Sequence, residues 1–193
     1  MKKLSSSSIL EEITPILEGR VKPEKPLSYF GRAIRGGRGN IGNCRTIVEE
    51  MEKYSTVLSK HTILSSIYDH DDVTDFERKW KERFPEINVF QRDMKMIGMS
   101  KRFVADTTVE STGGGYEIFE AYCRAIPLAL FCHEKARYRP TMYLYTDRLT
   151  TPTIEELFYL HDVKIPIYYY SNKNIKEVAE REIRNLFLGS DKT

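Results

Sequence analysis

Phe103-Val104-Ala105-Asp106-Thr107, then Ser111-Thr112-Gly113-Gly114-Gly115-Tyr116-Glu117, then the apolar run Ile126–Cys132: the fold is decided by how these three pieces are read together. The first reads as the body of a short strand, Arg102–Thr107. The second is a glycine turn that opens a helix from about Tyr116 to Arg124. The third is apolar throughout and has the length of a buried parallel strand. Glycines ahead of a helix let the backbone approach a ligand closely. The first N–H groups of the helix lack partners and attract anions, and a serine hydroxyl there adds a donor. Without further context Glu117 is a first-turn carboxylate favoured by the helix dipole.

The same alternation extends in both directions. Upstream, Leu27–Ile34 reads as a strand that breaks into a loop at Gly36, Gly37, Gly39 and Gly42. Ile41–Tyr54 has helical spacing, Ser55–Ile63 reads as a second strand, and Ile87–Met99 as a further helix. Asp69–Phe84 is highly charged, with Val73, Phe76, Trp80 and Phe84 at helical spacing, and reads as a surface helix or an insertion. Downstream, Thr153–His161 reads as a short helix and Lys164–Tyr170 as the last strand. An amphipathic helix, Asn174–Leu188, closes the chain and is stopped by Gly189. Residues 1–26 read as an N-terminal arm, with Ser8 and Glu11 as a capping box and Pro15 as an interruption. Residues 27–193 read as one domain. Strands alternating with helices predict a flavodoxin-like or Rossmann-like α/β domain, a parallel sheet of five strands covered by helices on both faces. Such sheets take ligands at the carboxyl ends of their strands, where the strand order reverses. That points to the loops Arg35–Asn40 and Glu110–Gly115.

Composition narrows the class. Of 193 residues, 40% are hydrophobic and 30% charged, as in a globular chain able to bury its own core. The net charge of +2 is too small to argue for nucleic acid or membrane. The three cysteines, Cys44, Cys123 and Cys132, are odd in number and show no Cys-x-x-Cys spacing. They suggest a reducing compartment instead of a disulfide scaffold or zinc finger. No apolar run follows Met1-Lys2-Lys3 and none reaches the roughly 18 residues of a membrane span. The expected location is the cytoplasm, or the nucleus of a eukaryotic cell. Asp69-His70-Asp71-Asp72 reads as an acidic helix start before it reads as a metal site. Ser111 lacks a Gly-x-Ser-x-Gly elbow, and Gly31…Gly37 does not match a dinucleotide fingerprint. No metal and no organic cofactor is expected.

Tyr29-Phe30-Gly31-Arg32-Ala33-Ile34-Arg35-Gly36-Gly37 supplies the second decisive motif. Arg35 lies just past a strand, where its fork of donors suits phosphate or carboxylate. This stretch resembles the tyrosine-phenylalanine…isoleucine-arginine-glycine-glycine signature of the 2′-deoxynucleoside 5′-phosphate N-hydrolases, within the nucleoside 2-deoxyribosyltransferase-like superfamily. The stretch Phe103–Glu117 resembles that family's second motif. Asp93 lies 24 residues before Glu117, as in the family's aspartate–glutamate pair. His61 stands where the family has a histidine ending its second strand. The likeness runs from about Leu27 to Ala129.

The resemblance implies roles for named residues. Glu117 matches a nucleophile that attacks the anomeric carbon, Asp93 a carboxylate near the leaving base, and Tyr29 a hydroxyl near nucleophile and sugar. Ile34, Arg35, Gly36, Ser111, Gly113 and Gly115 match the two loops of a 5′-phosphate pocket, and His61 borders the base. Family members are dimers in which a partner's hydroxyl completes the phosphate site. Thr141 is the match for it here, with Met142 beside the base. Three positions depart from the family's pattern: Ala33 replaces a serine, Arg32 a glycine and Lys101 an aspartate. The implied activity is hydrolysis of the N-glycosidic bond of (2′-deoxy)nucleoside 5′-monophosphates by double displacement. The rival readings are a deoxyribosyltransferase that exchanges bases, a nucleotide-binding module without turnover and, less closely, a cytokinin-activating type of phosphoribohydrolase.

Overall fold

The computed structural model describes residues 5–33, 40–64, 71–109, 111–136 and 165–189. Ile34, Arg35, Gly36, Thr141, Met142, Asp69-His70 and the predicted helix Thr153–His161 lie outside them. The elements in chain order are α1 (Ser6–Leu17), β1 (Leu27–Arg32), α2 (Ile41–Tyr54), β2 (Thr56–Val57), a 3₁₀ helix (Lys60–Ile63), α3 (Asp71–Arg83), α4 (Val89–Met99), β3 (Arg102–Asp106), α5 (Thr112–Cys123), β4 (Leu128–His133), β5 (Ile167–Tyr170) and α6 (Ile175–Leu188). The five strands form one parallel sheet in the order β2-β1-β3-β4-β5. This is the expected doubly wound architecture, with its reversal of strand order between β1 and β3.

Alternation along the central strands sorts the core into two layers. Tyr29, Phe103, Ala105, Leu128 and Leu130 join the side chains of α1, α3, α4 and α5 on one face. Phe30, Val104, Ala129 and Phe131 join α2 and α6 on the other. Gly31 and Ala105 are register partners on the first face and leave a low place in the sheet beside the switch point.

Three local expectations are corrected. The second strand is only Thr56–Val57, because the side chain of Ser59 takes over the ladder: its hydroxyl accepts from the Phe30 N–H at 2.7 Å and donates to the Phe30 carbonyl at 2.9 Å. The chain then tightens into the 3₁₀ helix, so His61 sits on that helix and not at a strand end. The capping box of α1 is Ser5 with Ser8, and Pro15 lies inside the helix without stopping it. Proline there forfeits one bond in the last turn only. The helix ends two residues later, where Gly19 at φ 72° lets its own N–H reach Ile16 and that of Arg20 reach Pro15, a paired closure of the last carbonyls. The charged segment forms the helix expected of it, α3, with Phe76 and Trp80 buried and the helix packed on α1. Finally, α5 starts at Thr112, ahead of its glycines: Ser111 caps it by accepting from the Gly114 N–H at 3.2 Å, which draws the whole glycine run into the first turn. No helix among the described residues is long and apolar enough to cross a membrane.

Helix α1 closes over the 3₁₀ helix and α3, with Ile9 and Ile13 fully buried. Buried Lys60 ties it down, meeting Glu12 of α1 at 2.6 Å and Glu52 of α2 at 2.5 Å. Ile13→Ala is expected to cost about 2–5 kcal/mol of unfolding free energy, read by urea titration. A loss below about 0.5 kcal/mol would show that α1 is dispensable to the core.

Candidate active site

Glu117 lies in the second turn of α5, over the low place made by Gly31 and Ala105. A side chain at position 31 would be in the way: a β-carbon there would stand 2.8 Å from Glu117 Oε2 and 3.2 Å from Phe103. Nothing in the sequence marks Gly31 for this, because its role shows only when β1 and α5 are brought together. Tyr29, one pleat below, is buried, stacks on Phe103 at 5.5 Å between ring centres, and donates its hydroxyl to Glu117 Oε1 at 2.9 Å. The other oxygen, Oε2, accepts no hydrogen bond among the described residues.

Asp93 comes to the same place from α4, which packs beside α5. Three of the predicted residues, Tyr29, Asp93 and Glu117, therefore meet although 88 residues separate the first from the last. The electrostatics are those of two carboxylates in a dry site. Burial, then the charge of Asp93, pushes Glu117 up to about 8, and the Tyr29 hydrogen bond and Arg92 only partly oppose this. Burial also raises Asp93, against the pull of Arg92. Burial and both carboxylates hold Tyr29 far above the phenol range, so it stays a neutral donor. Both carboxylates are thus held above the ordinary carboxylate range, with burial the larger cause at each.

His61 is buried and stacked on Phe76 at 4.3 Å, with its Nε2 3.2 Å from Arg92 Nη2. Burial and the Arg92 charge hold it well below the usual imidazole range, so it is neutral. Arg92 itself was missed. It follows Gln91 and precedes Asp93 in a charged helix, and nothing in the sequence distinguishes it from a solvated arginine.

Ser111, Gly113 and Gly115 begin the same helix as Glu117. The Ser111 hydroxyl is engaged in capping and the Gly115 N–H is spent on the Ser111 carbonyl at 2.9 Å. The N–H groups of Thr112 and Gly113 remain at the mouth of the helix, and no Cβ shields them at 113–115. On the opposite face of the sheet, Asp106 anchors a second polar group. Its carboxylate accepts from Tyr170, from Asn40 at 2.9 Å and from the Thr108 N–H at 3.2 Å. Asn40 is where α2 begins and Thr108 follows β3, so this group fixes the chain on both sides of the switch point. Arg35, the predicted phosphate ligand, precedes Asn40 and lies outside the described residues.

No protein-family model matches the chain. Individual relatives do. A Methanosarcina barkeri protein provisionally named 2′-deoxynucleoside 5′-phosphate N-hydrolase 1 is 32% identical over 130 residues, which is 66% of this chain and 72% of that one. A Methanosarcina mazei protein of the same provisional name is 32% identical over 121 residues, 62% of this chain and 65% of its own. The 5-hydroxymethyl-dUMP N-hydrolase of Danio rerio is 32% identical over 93 residues, 48% of this chain and 59% of its own. With its doubly wound sheet and with Tyr29, Asp93 and Glu117 gathered at the switch point, the chain belongs to the 2′-deoxynucleoside 5′-phosphate N-hydrolase family.

Proposed function

We propose that the protein is a nucleotide N-hydrolase that releases the base from (2′-deoxy)nucleoside 5′-monophosphates by double displacement through Glu117. The observation that carries this reading is the Tyr29 hydroxyl on Glu117 Oε1 at 2.9 Å, beside Asp93, at the switch point of the sheet. A carboxylate beneath a sugar is suited to an oxocarbenium-like transition state. In the first step a Glu117 oxygen bonds to C1′ and the bond from C1′ to the base nitrogen breaks. The electron pair leaves with the base, which takes up the proton shared by Glu117 and Asp93, delivered from the Asp93 side. In the second step water attacks C1′, breaks the glycosyl ester and returns a proton to the pair. Tyr29 holds the nucleophile against the sheet throughout. The 5′-phosphate is assigned to the free N–H groups at the start of α5 together with Ile34, Arg35 and Gly36 after β1. His61 is assigned to the base side.

A homodimer belongs to the same proposal. Phe90 on α4 and Tyr116 and Phe119 on α5 are more than half exposed, on two adjacent helices that also carry Asp93 and Glu117. A second copy covering them would bring its own chain to the mouth of the site, and Thr141 and Met142 are assigned to that contribution. Phe119→Lys is expected to give a monomer by analytical ultracentrifugation, with base release at least tenfold lower. A monomer of full activity would overturn the composite site.

Glu117→Gln is expected to lower base release from deoxynucleoside monophosphates by more than about a thousandfold. The screen includes 5-hydroxymethyl-dUMP and an added free base, so that base exchange outpacing sugar phosphate formation would instead favour a transferase. The same variant has a stability signature. Because Glu117 stands at about 8 against an ordinary 4.5, the fold keeps a proton that the unfolded chain releases. Stability is therefore lost as pH rises through that window. Glu117→Gln is expected to melt higher than the native chain at pH 8.5, with the gap closing towards pH 4.

A reacting pair with one proton predicts a bell-shaped pH profile of kcat/KM, its alkaline limb near 8 where the pair loses that proton. Asp93→Asn removes the acid and also the charge that raises Glu117. It is expected to leave a slow enzyme whose rate only rises with pH, through a midpoint below that limb. An alkaline limb persisting in Asp93→Asn would exclude Asp93 as the source of the proton.

A further inference from the structure

Arg92 is 1% exposed, and its guanidinium meets three side chains from three elements. Nε donates to Asp93 Oδ1 at 2.8 Å, Nη1 to both oxygens of Glu77 on α3 at 2.7 and 2.9 Å, and Nη2 to His61 Nε2 at 3.2 Å. The rings of Phe76 and Trp80 lie 5.5 Å from its central carbon. A charge buried this fully is expensive unless its hydrogen bonds are met, and a planar fork that reaches three partners is something lysine cannot imitate.

Two of those contacts have consequences inside the site. One oxygen of Asp93 is fixed by Arg92, which leaves Oδ2 without a hydrogen bond among the described residues. A guanidinium only donates, so His61 Nε2 must accept, and the imidazole proton must sit on Nδ1. That Nδ1 is buried and has no partner among the described residues. It is a donor held in reserve in a place where an unmet donor is costly.

We propose that Arg92 is a positioning residue for the reaction: it sets the direction of the Asp93 carboxylate and locks His61 in the Nδ1–H form, so that both face an arriving nucleotide in one defined state. The proposal rests on the reading of Glu117 and Asp93 as the reacting pair. Among the described residues, the charged and titratable groups facing this pair are Tyr29 from β1, His61 from the 3₁₀ helix, Glu77 from α3 and Arg92 itself. Glu77 answers much of the Arg92 charge. Arg92 therefore steadies Asp93 without drawing the proton off the pair altogether, and the remaining pull lowers both Glu117 and Asp93.

The test uses the full chain with Arg92→Lys and Arg92→Met, and two readouts. The first is the nitrogen and proton NMR signature of the His61 ring between pH 5 and 9. The native protein is expected to show Nδ1–H throughout, and both variants a mixture with Nε2–H or a ring that titrates. The second is base release: kcat about a hundredfold lower in Arg92→Lys with KM changed less than threefold, and the alkaline limb moved upward in Arg92→Met, which lacks the cation. An Nδ1–H ring and unmoved limbs in Arg92→Lys, with kcat near native, would reduce Arg92 to a structural residue and overturn the proposal. If Arg92→Met does not fold, Arg92→Lys alone decides through the ring signature and kcat. If the native chain releases no base while the His61 tautomer still depends on Arg92, the reaction assigned to the site fails, and what Arg92 is left with is control of the His61 ring alone.

Discussion

Two carboxylates pressed together out of water repel each other, and the site is arranged around that repulsion. Glu117 and Asp93 arrive from different helices and would each be ionised if left in solvent. Burial raises both, and the charge of Asp93 adds to the rise at Glu117. In the function proposed above, a proton held there is what the departing base takes up. The surroundings limit the repulsion without abolishing it: a neutral phenol on one carboxylate and a partly neutralised guanidinium on the other.

The sheet makes the juxtaposition possible through its smallest residues. Gly31 and Ala105 occupy partner positions on β1 and β3, on the face that carries Tyr29 and Phe103. Large aromatic rings beneath and a depression above place the Glu117 carboxylate against the backbone. On the far face the cluster around Asp106 performs a different service. By joining Asn40, Thr108 and Tyr170 it braces the ends of β3 and β5 and the start of α2 against each other. The carboxylate that reacts and the carboxylate that braces are thus separated by the thickness of one sheet.

Much of this was legible in the chain. The period of the apolar residues gave helix α2 its limits and placed all five strands, because buried parallel strands write themselves as short apolar runs. Tyr29, Asp93 and Glu117 were named through the resemblance of their motifs to a family, since by pattern alone they read as strand packing, a helix charge and a first-turn carboxylate. What escaped were features created by contact across the fold. Ser59 replaces strand pairing with its own hydroxyl, which no alternation of residues announces. Ser111 caps α5 early, although glycines lower helix propensity and had suggested a turn. Arg92 and Glu77 look like members of charged surface helices until Phe76 and Trp80 are seen to carry that surface inward. Charge predicts exposure only when no partner waits inside.

The 3₁₀ helix has neighbours on two sides. Lys60 reaches outward to Glu12 and Glu52, and His61, the next residue, reaches inward to Arg92. The N-terminal helix is therefore one residue removed from His61 and its contact with Arg92. A protein trimmed back to its first strand would uncover the flanks of Leu58, Leu64 and Phe76 and cut one of the two tethers of Lys60. The smallest piece of this chain that keeps this layer of its core begins well upstream of the sheet, and a segment that looks like an appendage belongs to the interior.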